Sequence, residues 1–432
     1  MNGFDGMWGA LAEVGRDRHT GGYRRDAWSE PDLALREWFA EEADRRGLSR
    51  YEDRNGNQWA WWGDPSAAPG VVTGSHLDSV RDGGAFDGPL GVVSAFAAVD
   101  ELRARGVTTP PRPIGVVCFS DEEGARFGVP CVGSRLLTGV LDPARAAGLT
   151  DDAGDTLAEV LRRAGRDPSG LGRDDETLRR IGVFVELHVE QGRGLVETGA
   201  PVGVASAIWP HGRWRLDFAG RADHAGTTAL ADRDDPMLPY ARAVLAAREI
   251  AERRGAVATF GRVRVAPGSA NAIPSLVRAW LDARAPEEET VRGLVAELSA
   301  ACPAEVVCES WTPVVEFDAV LRDRVAAVAG GLRGRFTGEP EILPGNVAEP
   351  SRAGGDWTEG RRDTPGGAPV LPTGAGHDAG VLAGAGVPSA MLFVRNPTGV
   401  SHSPEEFAER EDCHSGVTAL TAVLEDLCGL LV

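Results

Sequence analysis

The sequence predicts an α/β fold, a central, mostly parallel sheet between helices, with a smaller α+β domain inserted into it. Short apolar runs of buried-strand type alternate with helix-period segments over most of the chain. Between about residues 207 and 317 the texture changes to strands of alternating polarity separated by helical patterns. The polar residues of greatest chemical interest follow the ends of the apolar runs, where open α/β sheets gather ligands. A chain of 432 residues is also too long for one core of ordinary size. The division expected is 1–206 and 318–432 as one discontinuous main domain, with 207–317 as the insert.

Residues 29–47 read as a helix. Ser29 can cap it with Asp32 three residues on, Pro31 sits in the first turn, Gly47 ends it, and Leu35, Trp38, Phe39 and Ala43 share a face. Val71-Val72-Thr73 is a short strand leading to His76. Pro89 starts a helix with Leu90, Val93, Ala97 and Leu102 as its apolar face. Ile114 to Phe119 is a buried-type strand ending at two glutamates, Val183 to Leu187 a strand ending at His188, and Ser389 to Val394 a strand before His402. In the insert, Arg213 to Phe218, Arg262 to Val265 and Leu276 to Ala283 are strands, and Pro236 to Arg254 and Glu287 to Ala300 helices. Residues 345–370 are rich in Gly, Pro and Arg and read as a long loop.

Composition narrows the function. A net charge of −19, spread along the chain, argues against nucleic acid as a partner. No apolar run is long enough to span a bilayer, and Met1 to Thr20 carries no apolar signal core, so the expected location is cytoplasmic with no membrane partner. The six cysteines form no Cys-x-x-Cys pair and read as free thiols of a reducing compartment. All 45 basic side chains are arginine, which removes Schiff-base chemistry, the phosphate-loop lysine and Ser-Lys dyads. With no Gly-x-Ser-x-Gly elbow either, hydrolytic chemistry points to metal.

Five motifs carry ligand types. They are His76 in Gly74-Ser75-His76-Leu77-Asp78, Asp87 in Gly84-Ala85-Phe86-Asp87-Gly88, and Glu122-Glu123 after Ser120-Asp121. His188 stands in Glu186-Leu187-His188-Val189-Glu190-Gln191-Gly192 and His402 in Ser401-His402-Ser403-Pro404-Glu405-Glu406. A pair of divalent ions wants imidazoles at its ends, a carboxylate between, and a spare carboxylate for a proton. On an extended strand His76 and Asp78 would face the same way, so Asp78 could hold the far nitrogen of a metal-bound His76. Asp87, between glycines, can approach closely enough to bridge two ions about 3.5–4 Å apart. Adjacent acids at 122 and 123 repel unless a cation sits between them or one holds a proton. Taken singly, each has a plainer reading: a strand-end polar pair, an Asp-Gly turn, a solvated acidic turn, a structural histidine. Together they favour a two-metal hydrolase.

These motifs, with Asp223 to Thr228 and Gly374 to Ala379, resemble the hydantoinase/carbamoylase branch of the zinc-peptidase-like amidohydrolases over nearly the whole chain. The branch includes allantoate amidohydrolase and N-carbamoyl-L-amino acid hydrolase. The resemblance implies one divalent ion on His76, Asp87 and His188 and a second on Asp87, Glu123 and His402, with Asp87 bridging. It makes Glu122 the general base and Asp78 the support of His76. It assigns substrate contacts to Gln191, His224, Asn271, Arg284, Gly376 and His377, with His224 also polarising the scissile carbonyl. Alone, Arg284 reads as an exposed strand-end arginine and His224 as a loop histidine. The insert would be a lid that carries a homodimer contact, leaving open whether His224 serves its own subunit or its partner's. Asp223, Ala229 and Thr373 stand where the family often has asparagine, proline and serine, which bears on substrate identity. Zinc suits the ligands, and manganese, cobalt and nickel occupy similar sites.

The expected reaction is hydrolysis of the ureido C–N bond of allantoate or an N-carbamoyl-L-amino acid, releasing carbon dioxide and ammonia, with overall similarity tilting toward allantoate. Rivals are removal of an N-formyl group, a di- or aminopeptidase on the same scaffold, and a metal-dependent binding protein without turnover.

Overall fold

In the computed structural model, residues 3–331 and 366–430 are described. Two units divide them. The first takes its described residues from Met1–Ala207, Glu316–Ile342 and Gly360–Val432, and the second is Ile208–Val315. The loop expected over 345–370 lies, up to residue 365, outside the described residues.

The first unit is organised by four parallel strands, in the order Ile114–Phe119, Gly70–His76, Ile181–Val189 and Ser389–Val394. Each is an apolar run buried along nearly its whole length, as a sheet covered on both faces requires. Antiparallel strands flank this centre. Gln58–Trp62 and then Ser49–Glu52 extend one side, and Val202–Ile208 the other. The Ser49–Trp62 hairpin was not among the expected elements. Its turn is tied by Asp53, whose carboxylate accepts the backbone N–H groups of Asn55 and Asn57, the Asn57 amide and the Trp59 indole.

The first expected helix forms over Glu30–Arg45. Ser29 caps it by position only, with no side-chain bond. The reciprocal bond is absent too: Asp32 Oδ2 accepts the N–H of Trp28, one residue before the cap, at 2.8 Å, while the Ser29 N–H goes to the Asp26 carbonyl. Helix Pro89–Ala104 differs more from expectation. Residues 89–99 are buried all round rather than on one face, because the helix is enclosed by the sheet, by helix Arg410–Leu427 and by helix Phe4–Leu11, with Phe39 against Phe96.

The second unit is a four-stranded antiparallel sheet in the order Glu305–Thr312, His211–Ala219, Leu276–Arg284, Val257–Ala266. His211–Ala219 and Leu276–Arg284 bury every second residue, the period of a half-covered sheet. Trp214, Leu216, Phe218, Val277, Ala279 and Leu281 pack against helices Met237–Arg254 and Glu288–Ala301. Strand Glu305–Thr312 was not expected.

The six cysteines are free thiols, all buried except Cys308. No described helix is long and apolar enough to cross a membrane.

Candidate metal centre

The carboxyl ends of the four parallel strands bring the candidate ligands of the first unit together. His76 is the last residue of its strand and His188 the penultimate residue of another. Glu122 and Glu123 follow Ile114–Phe119, and His402 follows Ser389–Val394 by a loop. Asp87 arrives in the turn before helix Pro89–Ala104. Gly88 there has φ +88°, and a Cβ on it would run into the His76 imidazole, so only glycine lets Asp87 lie this close.

Asp87 is the hub. Its Oδ1 is 3.1 Å from His188 Nε2 and 3.6 Å from His76 Nε2. Its Oδ2 is 3.3 Å from His402 Nε2, which in turn is 3.6 Å from Glu123 Oε2. His76, Asp87 and His188 form one group of donor atoms within 4.8 Å, and Asp87, Glu123 and His402 another.

The histidine tautomers argue that these groups suit cations. His76 Nδ1 is 3.0 Å from the Asp78 carbonyl oxygen, and His188 Nδ1 is 2.9 Å from that of Val189. A carbonyl only accepts, so each Nδ1 carries the hydrogen and a neutral ring turns the Nε2 lone pair toward the Asp87 carboxylate. Both Nε2 atoms are buried without a hydrogen bond of acceptable geometry. Buried lone pairs facing a buried carboxylate need a proton or a cation between them. Imidazole nitrogens with carboxylate oxygens are a divalent-metal donor set.

Without a cation, protons carry that compensation. Burial opposes charge on His76, but Glu122, Asp87 and Asp78 outweigh it and raise its pKa well above the usual imidazole range. Burial likewise works against an ionised Asp87, yet His188, His402 and His76 hold it well below the usual carboxylate range. Burial and then Asp87 push Glu123 up to about 7. His402, with burial opposing, is raised to about 9 by Glu123 and Asp87. Half of the His402 side chain is exposed, so water screens its pairing more than at the other two histidines.

Asp78 differs in detail from the sequence expectation. The strand ends at His76, so the chain turns and presents the Asp78 peptide carbonyl, rather than its carboxylate, to the ring. Asp78 Oδ1 lies 3.6 Å from His76 Nδ1. The carboxylate accepts the backbone N–H of Glu122 at 3.1 Å and of Glu123 at 3.0 Å. One residue thus orients a histidine and pins both glutamates.

Glu122 is buried, with Oε2 3.7 Å from His76 Nε2 and Oε1 accepting from the Cys131 thiol at 3.2 Å. Burial, then Asp378 and Glu123, raise its pKa well above the usual range against the pull of His76. Sequence reasoning passed over Cys131, Glu186, Ser401 and Glu406. Glu186 accepts Ser75 Oγ at 2.7 Å and the Ala379 N–H at 3.0 Å. It belongs to a third group with His188 and His377, in which both of its oxygens already accept hydrogen bonds and His188 Nε2 faces Asp87. Its signal was an acid inside an apolar strand, which has to be satisfied somewhere.

Of the expected substrate contacts, Gln191 donates from Nε2 to Asp87 Oδ2 at 2.7 Å and to Ser401 Oγ at 3.1 Å. His377, buried, caps helix Asp378–Gly384 by position, with its ring centroid 4.5 Å from that of His188 and Gly376 just before it. In the second unit His224 and Asn271 are neighbours: the Asp223–His224 strand pairs with Ala272–Ile273, and the Asn271 carbonyl accepts the Ala225 N–H. His224 Nδ1 accepts the N–H groups of Gly226 and Thr227 at 3.0 and 3.2 Å, leaving Nε2–H as an exposed donor. Arg284 is not brought to them. It ends strand Leu276–Arg284, paired with His211, and its guanidinium already grips Asp282 through Nε and Nη2 at 2.7 and 3.0 Å.

Residues 72–354 match the model of peptidase family M20/M25/M40. The chain is 36% identical to an N-carbamoyl-L-amino acid amidohydrolase of Geobacillus stearothermophilus, over 96% of each chain. It is 28% identical to an allantoate amidohydrolase of Escherichia coli, over 96% of this chain and 95% of that one. The crystal structure of a hydantoinase/carbamoylase family amidase from Burkholderia vietnamiensis superposes with a TM-score of 0.82 at 27% identity, covering 98% of this chain and 97% of that one.

Proposed function

The chain belongs to peptidase family M20/M25/M40, and on that premise we propose that it is a metal-dependent amidohydrolase cleaving the ureido C–N bond of an N-carbamoyl-L-amino acid or of allantoate. The observation that carries this reading is the convergence of His76, Asp87, Glu123, His188 and His402, with two imidazole lone pairs turned onto one carboxylate. His76, Asp87 and His188 would hold one divalent ion, and Asp87, Glu123 and His402 the other. Such a pair, when bound, acidifies water toward neutral pH and polarises the scissile carbonyl.

The chain's own groups do the rest. Glu122 has one oxygen engaged by the Cys131 thiol and the other facing His76, so its free edge accepts the proton of the attacking water and returns it to the leaving nitrogen. Asp78 keeps Glu122 on station through its backbone N–H. His224 Nε2–H suits a developing oxyanion. Arg284 takes the substrate carboxylate if it exchanges Asp282 for it, and Gln191, Asn271, Gly376 and His377 meet the remaining polar groups. The carbamate released decomposes to carbon dioxide and ammonia. Of the two substrate classes we put N-carbamoyl-L-amino acids first, since the carbamoyl relative is the more similar of the two named above.

A homodimer through the second unit is part of the proposal. Leu238 and Leu245 on helix Met237–Arg254, and Val257 and Val263 on the edge strand beside it, are exposed apolar residues. His224 and Asn271 lie beyond the Leu276 end of strand Leu276–Arg284, roughly 26 Å of extended chain from Arg284 at ~3.3 Å per residue. A small ureido substrate cannot span that, so it would take Arg284 from one chain and His224 with Asn271 from the other. Zinc suits the donor set best, with manganese, cobalt and nickel as substitutes. The free thiols support a cytoplasmic setting.

The test is a substrate panel on protein stripped by chelator and reloaded with each metal. N-carbamoyl-L-amino acids or allantoate should turn over only after reloading, and Glu122→Gln should lower kcat by about 10²–10⁴ while keeping its metal. Preferential cleavage of N-formyl amino acids or free-amino dipeptides would overturn the substrate assignment. Binding of ureido compounds by the reloaded protein without turnover would make it a binding protein.

A further inference from the structure

Glu406 is not among the candidate ligands, yet it is buried beside them at 4% exposure. Its Oε1 accepts two successive backbone N–H groups, those of Phe86 and Asp87, both at 3.0 Å. Its Oε2 accepts the Ser401 hydroxyl at 3.2 Å. At the other end of the clamp, Glu406 N–H bonds the Ser403 carbonyl at 3.0 Å, closing the turn that directly follows His402. A Cβ on Gly84 would run into the Glu406 carboxylate, so the glycine turn before Asp87 leaves the space that this side chain fills.

One carboxylate therefore ties together two loops more than three hundred residues apart in sequence. The two loops meet in the group Asp87, Glu123 and His402, whereas the group of His76 and His188 takes only Asp87 from them. The other group has less need of such help. His76 and His188 lie on strands, and each imidazole is fixed by a backbone carbonyl at the end of its own strand. His402 sits in a loop at φ +56°, half exposed, with no comparable bond among the described residues.

We propose that Glu406 is a positioning residue for the outer cation: by holding the Asp87 peptide and the His402 turn in register, it makes Asp87, Glu123 and His402 converge. This rests on the two-cation reading above. Buried bonds that orient ligands in this way change metal affinity by about 10–100-fold when removed. Reach, rather than charge, is what the geometry demands. The isosteric Glu406→Gln keeps a carbonyl oxygen for the two N–H groups and an amide that can donate to Ser401 Oγ. Glu406→Asp keeps the charge on a side chain one methylene shorter.

The experiment is equilibrium dialysis of the full chain against graded zinc, with bound metal counted by mass spectrometry, for the parent protein and the Ala, Asp and Gln variants at position 406. Circular dichroism checks that each is folded. In the parent, two equivalents should bind. In Glu406→Ala and Glu406→Asp the first equivalent should bind as in the parent, and the second at least about tenfold more weakly. Glu406→Gln should stay within about threefold of the parent. If Ala does not fold, the Asp and Gln pair carries the comparison. Unchanged second-site affinity in Asp, equal loss at both sites, or loss in Gln with retention in Asp would each overturn the proposal. Fewer than two equivalents in the parent would instead overturn the two-cation reading on which it stands.

Discussion

At His76 and His188 the decisive feature is which nitrogen carries the hydrogen. Carbonyls of Asp78 and Val189 fix Nδ1–H, and that leaves both Nε2 atoms facing Asp87. The residue types were legible in the sequence, because histidines and acids at the ends of apolar runs are a recognisable set. The tautomers were not, because they depend on main-chain carbonyls that become acceptors only once the strand ends. Glu406 was invisible for a related reason: its partners are the peptide groups of Phe86 and Asp87, far away in the chain. The ligand pKa values give a pH dependence with a definite sign. His402 is raised to about 9 in the metal-free chain, above the usual ~6.5. Its protonated form thus favours the metal-free fold below about 6.5, and that contribution fades as pH rises through 9. A cation needs the neutral ring and an ionised Glu123, itself raised to about 7, so metal binding expels protons and strengthens as pH rises. The gain in Tm on adding zinc should therefore grow between pH 6.5 and 9, measured by scanning calorimetry at fixed free zinc. A gain that is flat or shrinks over that range contradicts the assignment.

Among elements, the four parallel strands do the positioning, and their apolar runs were readable in advance. Strand Ser389–Val394 has the expected bounds, and Val183 to Leu187 lengthens to Ile181–Val189. Two of the elements not anticipated have side chains that lack contrast. Glu305–Thr312 has no buried residue along its length and so no clear period of two. In Gln58–Trp62 four consecutive residues are buried, which hides alternation altogether. The turn before helix Pro89–Ala104 is the least forgiving joint, because Gly88 lies against the His76 ring. Gly88→Ala should displace His76 or Asp87. A misplacement of about 1 Å at such a centre costs ~10²-fold in rate, so kcat/KM should fall by about that factor while helix content by circular dichroism is kept. Activity within about twofold of the parent would show that the turn has slack the geometry does not suggest.

For the whole molecule, the sequence placed the change of texture near residues 207 and 317, and the described chain divides by contacts at Ala207/Ile208 and Val315/Glu316. What it could not give was the separation of Arg284 from His224 and Asn271 along one strand, because register appears only when His211–Ala219 pairs with Leu276–Arg284. That separation makes a prediction about assembly. Arg284→Ala and His224→Ala proteins should each be strongly impaired alone, and co-refolded they should regain activity well above the sum of the two, since a mixed dimer has one centre with both side chains intact. No recovery, with exchange of chains verified by native mass spectrometry, would assign Arg284 and His224 to the same chain.

The central claim is that five side chains from four strand ends hold two cations around Asp87, with Glu122 alongside. Anomalous diffraction from zinc-loaded crystals, collected at the zinc edge, tests it most directly. Two peaks about 3.5–4 Å apart are expected, one against His76, Asp87 and His188 and the other against Asp87, Glu123 and His402. No peak at Asp87, or strong zinc density only at other residues, would contradict the account.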